Sequence, residues 1–176
     1  NQANLGEAAD QSVHIAAAAD YYHLGVGGAA SASLGGGAGA GVDTSVVKNN
    51  TSAYVGKSAA VDAKNNINVI AQAAEEVMTI AVAGAVGGGA GLAGSLTVNT
   101  ITNDTHAYLA ESSIVKADNN IRLAASDDTR ITTLAGSAGL GGGAGVGGAV
   151  AVNVITKDTK AEIGNGAQVD AKAAGS

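Results

Sequence analysis

The sequence predicts an all-β protein, a parallel β-solenoid (β-helix) built from about three 54-residue repeats. Three observations predict this class: the sequence matches itself at a 54-residue offset, apolar residues alternate with the period of a strand, and small residues dominate the composition. Repeats of this size are typical of solenoids, in which stacked units bury a continuous core. We expect a single solenoid segment over residues 1–176, with repeat units of approximately 13–66, 67–120 and 121–174.

The repeat is clearest between residues 67–120 and 121–172, which align without a gap. In that alignment Gly87–Gly91 falls on Gly141–Gly145, and Asn99 falls on Asn153. Residues on both sides of the first glycine run keep the 54-residue offset, but the run itself, Gly35–Gly39, lies two residues out of step. The sequence therefore predicts a local shift of register in the first unit.

Within each unit the alternation indicates strands. In "AVAVNVI" the valines at 150, 152 and 154 occupy one face, and Ala149, Ala151 and Asn153 occupy the other. In "NNIRLAA", Ile121 and Leu123 alternate after an Asn pair, which predicts a corner because Asn tolerates left-handed backbone geometry. The Ala-rich "AQAAEEVMTI" has helix propensity, but its counterpart "ASDDTRITTL" is a poor helix. We therefore predict a strand in both units.

The composition predicts thin layers. Alanine accounts for 39 residues and glycine for 27, Phe and Trp are absent, and four Tyr supply all the aromatic side chains. With so few bulky side chains, the backbones must approach each other closely.

The length of the repeat predicts the number of coils. At roughly 18–27 residues per coil, each unit would hold two or three coils. Asn99 and Asn153 would then lie about 10–15 Å apart along the axis, out of contact. Tyr54, Tyr108 and Glu162 would form a column with that spacing, and so would Thr79 and Thr133; Arg122 and Arg130 would lie in or beside strands.

Charge and cysteine content exclude several function classes. The net charge of −6 argues against nucleic acid as a partner. The absence of cysteine excludes disulfides and thiolate chemistry. Three runs without Asp, Glu, Lys or Arg are long enough to span a bilayer, but their glycine content and strand periodicity predict no membrane insertion. A glycine-zipper transmembrane helix is the alternative. These runs are Tyr21–Val42, Val77–Asn103 and Ile131–Thr156. The opening "NQANLGEAAD" predicts a mature product or a segment excised from a longer chain.

The glycine runs contain a G-x-G-x-x-G pattern at Gly143–Gly148 and again at Gly89–Gly94. A dinucleotide fingerprint should open a helix and precede an acid by about 20 residues, but here a strand pattern follows and that position is Gln168. We therefore interpret the glycines as sites of close packing and predict no cofactor.

Other polar clusters are interpreted as surface features, and no catalytic or metal-binding residue is predicted. His14, Tyr21, Tyr22 and His23 with Asp10 and Asp20 form the most varied cluster, and His106 corresponds to Lys160 in the next unit. The adjacent acids Glu75-Glu76 and Asp127-Asp128 would point to opposite faces of a strand, which disfavours paired catalysis. Calcium at acidic turns is left open, as is glycosylation at the sequons that begin at Asn50 and Asn103.

Two sequence patterns carry a family resemblance. "VKADNNIRLAAS" and "VDAKNNINVIAQA" resemble the coil motif of filamentous haemagglutinin-type adhesins, and "GGAGVGGAVAVNVITKDTKAEIGNGAQVDA" resembles repeats of very large, leukotoxin-like bacterial surface adhesins. The resemblance implies a right-handed β-helix in a rod exported to the cell surface. It also implies that the full-length protein binds a host surface, a matrix ligand or other bacterial cells.

Three functions remain as hypotheses from the sequence. The first is a non-catalytic rod segment of an extracellular filamentous adhesin. The second is a self-assembling fibre subunit, whose open ends would associate end to end. The third is a carbohydrate-active β-helix enzyme, which would need a groove lined by acids, basic residues and aromatics.

Overall fold

A computed structural model describes residues 11–172 of the chain. Nine β-strands account for most of them, and the order repeats three times as two long strands followed by one short strand. The strands are β1 (Val13–Ser33), β2 (Gly36–Val55), β3 (Ala60–Ala63), β4 (Ile67–Gly87), β5 (Ala90–Leu109), β6 (Ile114–Ala117), β7 (Ile121–Gly141), β8 (Ala144–Ile163) and β9 (Gln168–Ala171).

The strands form three parallel sheets, each with one strand from every repeat. Their orders are β1-β4-β7, β2-β5-β8 and β3-β6-β9. Every paired residue lies 54 positions from its partner, as Val13 pairs with Ile67 and Ile67 with Ile121. The molecule is therefore an all-β parallel solenoid of three stacked coils, as the repeat predicts.

Each 54-residue unit forms a single coil, so the prediction of two or three coils per unit is wrong. Asn99 and Asn153 are in direct contact, with the side-chain amide of Asn99 donating to Asn153 Oδ1 at 2.8 Å. Tyr54 and Tyr108 stack with ring centroids 4.9 Å apart, which is the spacing of adjacent strands. The error came from strand length. Strands of 20 and 21 residues use up the repeat in one turn, whereas ordinary strands have about 5–6 residues.

The predicted shift of register in the first unit is also wrong. Gly36 pairs with Ala90 and Gly37 with Gly91, so β2 keeps the 54-residue offset through its glycine run. Ser33 and Leu34 stand where the later coils have glycines, and this substitution made the run look displaced. Leu34 lies fully exposed in the turn, and the hydrogen-bond ladder of β2 continues without a bulge.

Each coil is long and flat. At about 3.3 Å per residue, a 21-residue strand is about 70 Å long. The two long strands of a coil lie face to face and are joined at one end by a two-residue turn, such as Gly88-Gly89. The short strand closes the other end. There the three sheets enclose an apolar core that includes Val55, Ile67 and Leu109.

The side chains that face inward become smaller toward the two-residue turn. In β4 the buried series runs from Ile67 and Val69 to Ala81, Ala83 and Ala85. At that end glycines allow the sheets to touch, since a Cβ added at Gly39 would lie 2.5 Å from the carbonyl oxygen of Gly84. This narrow interior explains the small-residue composition and supports the interpretation that the glycines serve close packing.

The corners use two different devices. Before each short strand, an i to i+3 hydrogen bond closes a tight turn, and Ser58, Ser112 and Gly166 have positive φ there. After β3 and β6, the chain bends at the Asn pairs, where the Asn119 amide donates to Asn65 Oδ1 at 3.0 Å. The corner was predicted correctly, but its reason was wrong, because no Asn among residues 11–172 has positive φ. Stacked amide hydrogen bonds explain the Asn preference instead.

The predicted strand assignments are confirmed. Residues 78–85 lie within β4, and Arg122 and Arg130 both lie in β7. Thr79 donates to Thr133 across one coil at 3.3 Å. Over residues 11–172 there is no helix of the length and apolarity needed to cross a membrane.

Candidate functional site

A polar network fills the middle of the solenoid interior. Asn99 is fully buried, and its amide donates to Thr79 Oγ1 at 2.9 Å as well as to Asn153. Thr133 in turn donates to Asn153 Oδ1 at 3.1 Å. Each residue of this network bonds to its equivalent in the next coil, so the network fixes the register of one coil on another.

The paired carboxylates split between interior and surface, as their spacing predicts. Glu75 is only 2% exposed, and it accepts hydrogen bonds from Asn49, Asn103 and Thr129 at 2.5–2.9 Å. Its neighbour Glu76 is exposed. The buried position of Asn103 also means that its sequon faces the interior and not solvent.

Asp127 is another acid that faces the interior. Its side chain is 1% exposed and forms an ion pair with Lys157 at 2.5 Å. Burial by itself raises the pKa of Asp127, but hydrogen bonds from Lys157, Thr129 and Thr105 and the Lys157 charge outweigh burial and lower the pKa. Glu75 and Asp127 therefore both accept hydrogen bonds that join one coil to the next.

The sequence cluster near His14 is not one site. His14 points outward and contacts Asn68 at 3.3 Å, whereas Tyr21 and His23 lie on the other face of β1 and stack at 6.4 Å. Asp10 lies outside the described residues. Asp20 and Tyr22 are exposed on the outer face.

Asp20 instead joins an outer hollow that sequence reasoning missed. This hollow has a volume of about 200 Å³ and is lined by the exposed side chains of Asp20, Glu76, Asp128 and Arg130. It gathers acids with an arginine on the outer face of one sheet, which is the kind of group that a carbohydrate-active enzyme needs. It is also smaller than the roughly 300–1,000 Å³ of most ligand sites.

The G-x-G-x-x-G segments lie in a turn and a strand. Gly143 ends the turn, and Gly145 and Gly148 belong to β8. A Cβ at Gly145 would overlap the carbonyl oxygen of Gly139, whereas a Cβ at Gly148 would meet open space. The segment does not open a helix, and its backbone amides are used in the coil-to-coil ladder, for example Gly143 N to Gly89 O at 2.7 Å.

A second missed cluster lies on the outer face of the sheet formed by β2, β5 and β8. Asp104, His106 and Asp158 each place one possible ligand atom within 4.8 Å of the others. Lys160 forms an ion pair with Asp158 at 2.5 Å. The hydrogen bond from Lys160 lowers the pKa of Asp158, and the partner acid raises the pKa of Lys160. Carboxylate and imidazole side chains are of the types that ligate metal ions in proteins.

The uncharged sequence runs meet in one half of the solenoid. Each run covers the end of one long strand, the two-residue turn and the start of the next long strand. Their outward side chains are apolar on both sheets, and Val26, Leu92 and Val150 are more than half exposed. An exposed apolar area of this kind often marks an association surface.

Comparison with protein-family models, with curated proteins and with solved structures finds no match for this chain.

Proposed function

We propose that the chain is a non-catalytic rod segment of a secreted filamentous adhesin at the bacterial cell surface. In this proposal the stacked coils form a stiff support, and other parts of the full-length protein bind a host surface, a matrix ligand or other bacterial cells. The resemblance of the repeat motifs to large surface adhesins supports the family, and the fold supports the mechanical role.

The observation that carries the proposal is the unbroken register of all three sheets. Every strand pair keeps the 54-residue offset from one end of the strand to the other. Backbone hydrogen bonds of the three sheets therefore run along the solenoid axis together, and a pull along that axis loads all of them at once. Interior residues such as Asn99 and Thr79 add side-chain bonds in the same direction.

The test is to lengthen the rod. In-frame duplication of residues 67–120 adds one coil, and five duplications should increase the dimension along the solenoid axis by about 24 Å in small-angle X-ray scattering, while the width of about 70 Å stays constant. A control insertion of residues 67–93, repeated in the same way, adds similar composition but half a coil. We expect the control to unfold or to keep its length. Equal extension by both insertions would contradict a rod built from whole coils.

Adhesin and enzyme predict different behaviour toward polysaccharides. The rod proposal expects no release of reducing ends or unsaturated sugars from a polysaccharide panel. Release that disappears in Asp128→Asn, with the fold retained, would place the acidic hollow in catalysis and replace the rod proposal with the enzyme alternative.

A self-assembling fibre subunit is the second candidate, and the last coil favours it. Ile163 and Val169 continue columns that are buried in the middle coil as Leu109 and Val115, yet they are 57% and 41% exposed. The first coil of another chain would cover them in the same register. Such head-to-tail contacts do not close on themselves and lead to filaments.

A further inference from the structure

The strand geometry brings Asp104, His106 and Asp158 together on the outer face. Asp104 and His106 are two residues apart in β5, so both point to the same side of the sheet. Asp158 in β8 is the direct partner of Asp104 in the next coil. One ligand atom from each of the three residues lies within 4.8 Å of the others.

The carboxylates of Asp104 and Asp158 and the imidazole of His106 lack part of the electrostatic and hydrogen-bond partners that they need. Two carboxylates paired directly across adjacent strands repel each other. His106 Nε2 is shielded from solvent and lacks a hydrogen-bond partner within residues 11–172, and it lies 3.5 Å from Asp158 Oδ2. A cation between the three side chains would neutralise the carboxylates and accept the imidazole lone pair.

We propose that Asp104, His106 and Asp158 bind one divalent transition-metal ion of the zinc class, which links the second and third coils. Imidazole and carboxylate ligands suit zinc at about 2.0–2.2 Å, and three protein ligands leave a position for water. The histidine selects against calcium, which prefers a shell of oxygen ligands. Small rotations of the partly exposed side chains bring the ligand atoms to these distances.

Lys160 competes with the ion. Its ammonium group forms an ion pair with the Asp158 carboxylate at 2.5 Å. Because its side chain is half exposed, Lys160 can turn into solvent when a metal binds. The first coil has Asn50 and Ser52 at the positions of Asp104 and His106. The site therefore forms once among the three coils, between the second and the third.

The repeat supplies variants that preserve the fold. The test is calorimetric titration of the whole chain with zinc ion, together with the melting temperature. We expect one ion per chain and a higher melting temperature with zinc. His106→Ser and Asp104→Asn introduce the residue types of the first coil and should weaken zinc binding by at least about tenfold. Lys160→Met should tighten it.

His14→Asn is the matched control, because it removes a second histidine in favour of the residue at the same position in the next coil, Asn68. This variant should bind zinc as the parent does. Unchanged zinc affinity in His106→Ser, or its loss in His14→Asn, would overturn the proposal. Calcium binding as tight as zinc binding would also overturn it, since the carboxylates alone would then hold the ion. If His106→Ser fails to fold, His106→Lys, which has the third-coil residue, answers the same question.

Discussion

The tight turn before each short strand contains one residue with positive φ, and its identity differs between coils. That residue is Ser58 in the first coil, Ser112 in the second and Gly166 in the third. The i to i+3 hydrogen bond and the positive φ at the third turn residue correspond to a type II turn, which favours glycine. Serine in this conformation is strained, so the first two turns carry a local cost.

Exchanging these residues should change stability in opposite directions. Ser112→Gly is expected to raise the free energy of unfolding by about 0.5–1 kcal/mol, because it relieves the strain of positive φ. Gly166→Ser should lower it by a similar amount, since a Cβ at Gly166 would meet ordinary contact distances and only the backbone is strained. Denaturant unfolding of both variants measures this. A destabilised Ser112→Gly protein would contradict it.

The ion pair of Asp127 and Lys157 gives a prediction with its own control. The second coil has Ala73 and Asn103 at the same two positions. Lys157→Asn alone leaves a shielded carboxylate without its ammonium partner and should cost about 1.5–3 kcal/mol. Asp127→Ala combined with Lys157→Asn reproduces the second-coil pair and should recover most of that loss. Additive losses in the double variant would show that the two side chains act independently.

The ion pair of Asp127 and Lys157 also predicts how the free energy of unfolding depends on pH. The pKa of Asp127 is lower in the folded chain than its usual value, so its contribution to stability is present above the unfolded pKa near about 3.9. It is lost as the pH falls through the folded pKa. The stability difference between the parent and Lys157→Asn should therefore shrink below pH about 4. A difference that stays constant down to pH 2 would exclude Asp127 as its source.

At the scale of the strand, inward and outward glycines have different roles. Gly91 faces the interior, where a Cβ would overlap the carbonyl oxygen of Leu140, whereas Gly84 points outward and a Cβ there would meet nothing within 4 Å. The alternation of the strand thus decides which glycines the fold requires. Gly142, in the turn, belongs with the required set, since a Cβ there would overlap the carbonyl oxygen of Gly88.

Matched substitutions separate the two sets. Gly91→Ala should lower the free energy of unfolding by about 1–3 kcal/mol, because the facing sheets must move apart. Gly142→Val should cost at least as much. Gly84→Ala should be neutral or slightly stabilising, since it only restricts the unfolded chain. Equal effects at Gly91 and Gly84, measured by thermal unfolding, would refute packing as the role of the inward glycine.

The strand scale also shows what could be predicted from sequence. The 54-residue offset predicted which residues stack, because a parallel ladder pairs equivalent positions in successive coils. It could not predict how many coils fill one offset, because Gly and Ala suit a strand interior as well as a turn in this chain. The Asp104–His106–Asp158 cluster was missed for that reason. With two or three coils per unit, Asp104 and Asp158 would be about 10–15 Å apart and could not share an ion.

At the scale of the whole molecule, we expect the exposed apolar side chains of the third coil to form an association surface. Replacing both Ile163 and Val169 with lysine places charge in the columns that another chain would cover. We expect this double variant to lower the concentration-dependent association of the 176-residue chain. The matched control carries lysine at Val146 and Val150, which are similarly exposed but lie on the outer face.

Light scattering over a range of concentrations distinguishes the two modes. End-to-end stacking predicts that only the Ile163 and Val169 variant reduces particle growth. Reduction by the Val146 and Val150 variant alone would instead indicate side-by-side contact through the uncharged half of the solenoid. A parent chain that stays monomeric at high concentration would exclude both.

Because each repeat forms a single coil, the solenoid is short along its axis and wide across it. Each coil advances about 4.8 Å and uses 54 residues, so the axial gain is about 0.09 Å per residue, against about 1.5 Å in an α-helix. The same residues produce a ribbon about 70 Å wide, which resists bending in its own plane far more than across it. Each of the two broad faces of such a ribbon is charged near the three-strand end and apolar near the turn. Several such ribbons would therefore associate through their broad faces in a fixed orientation. The assembly would bend in one direction only.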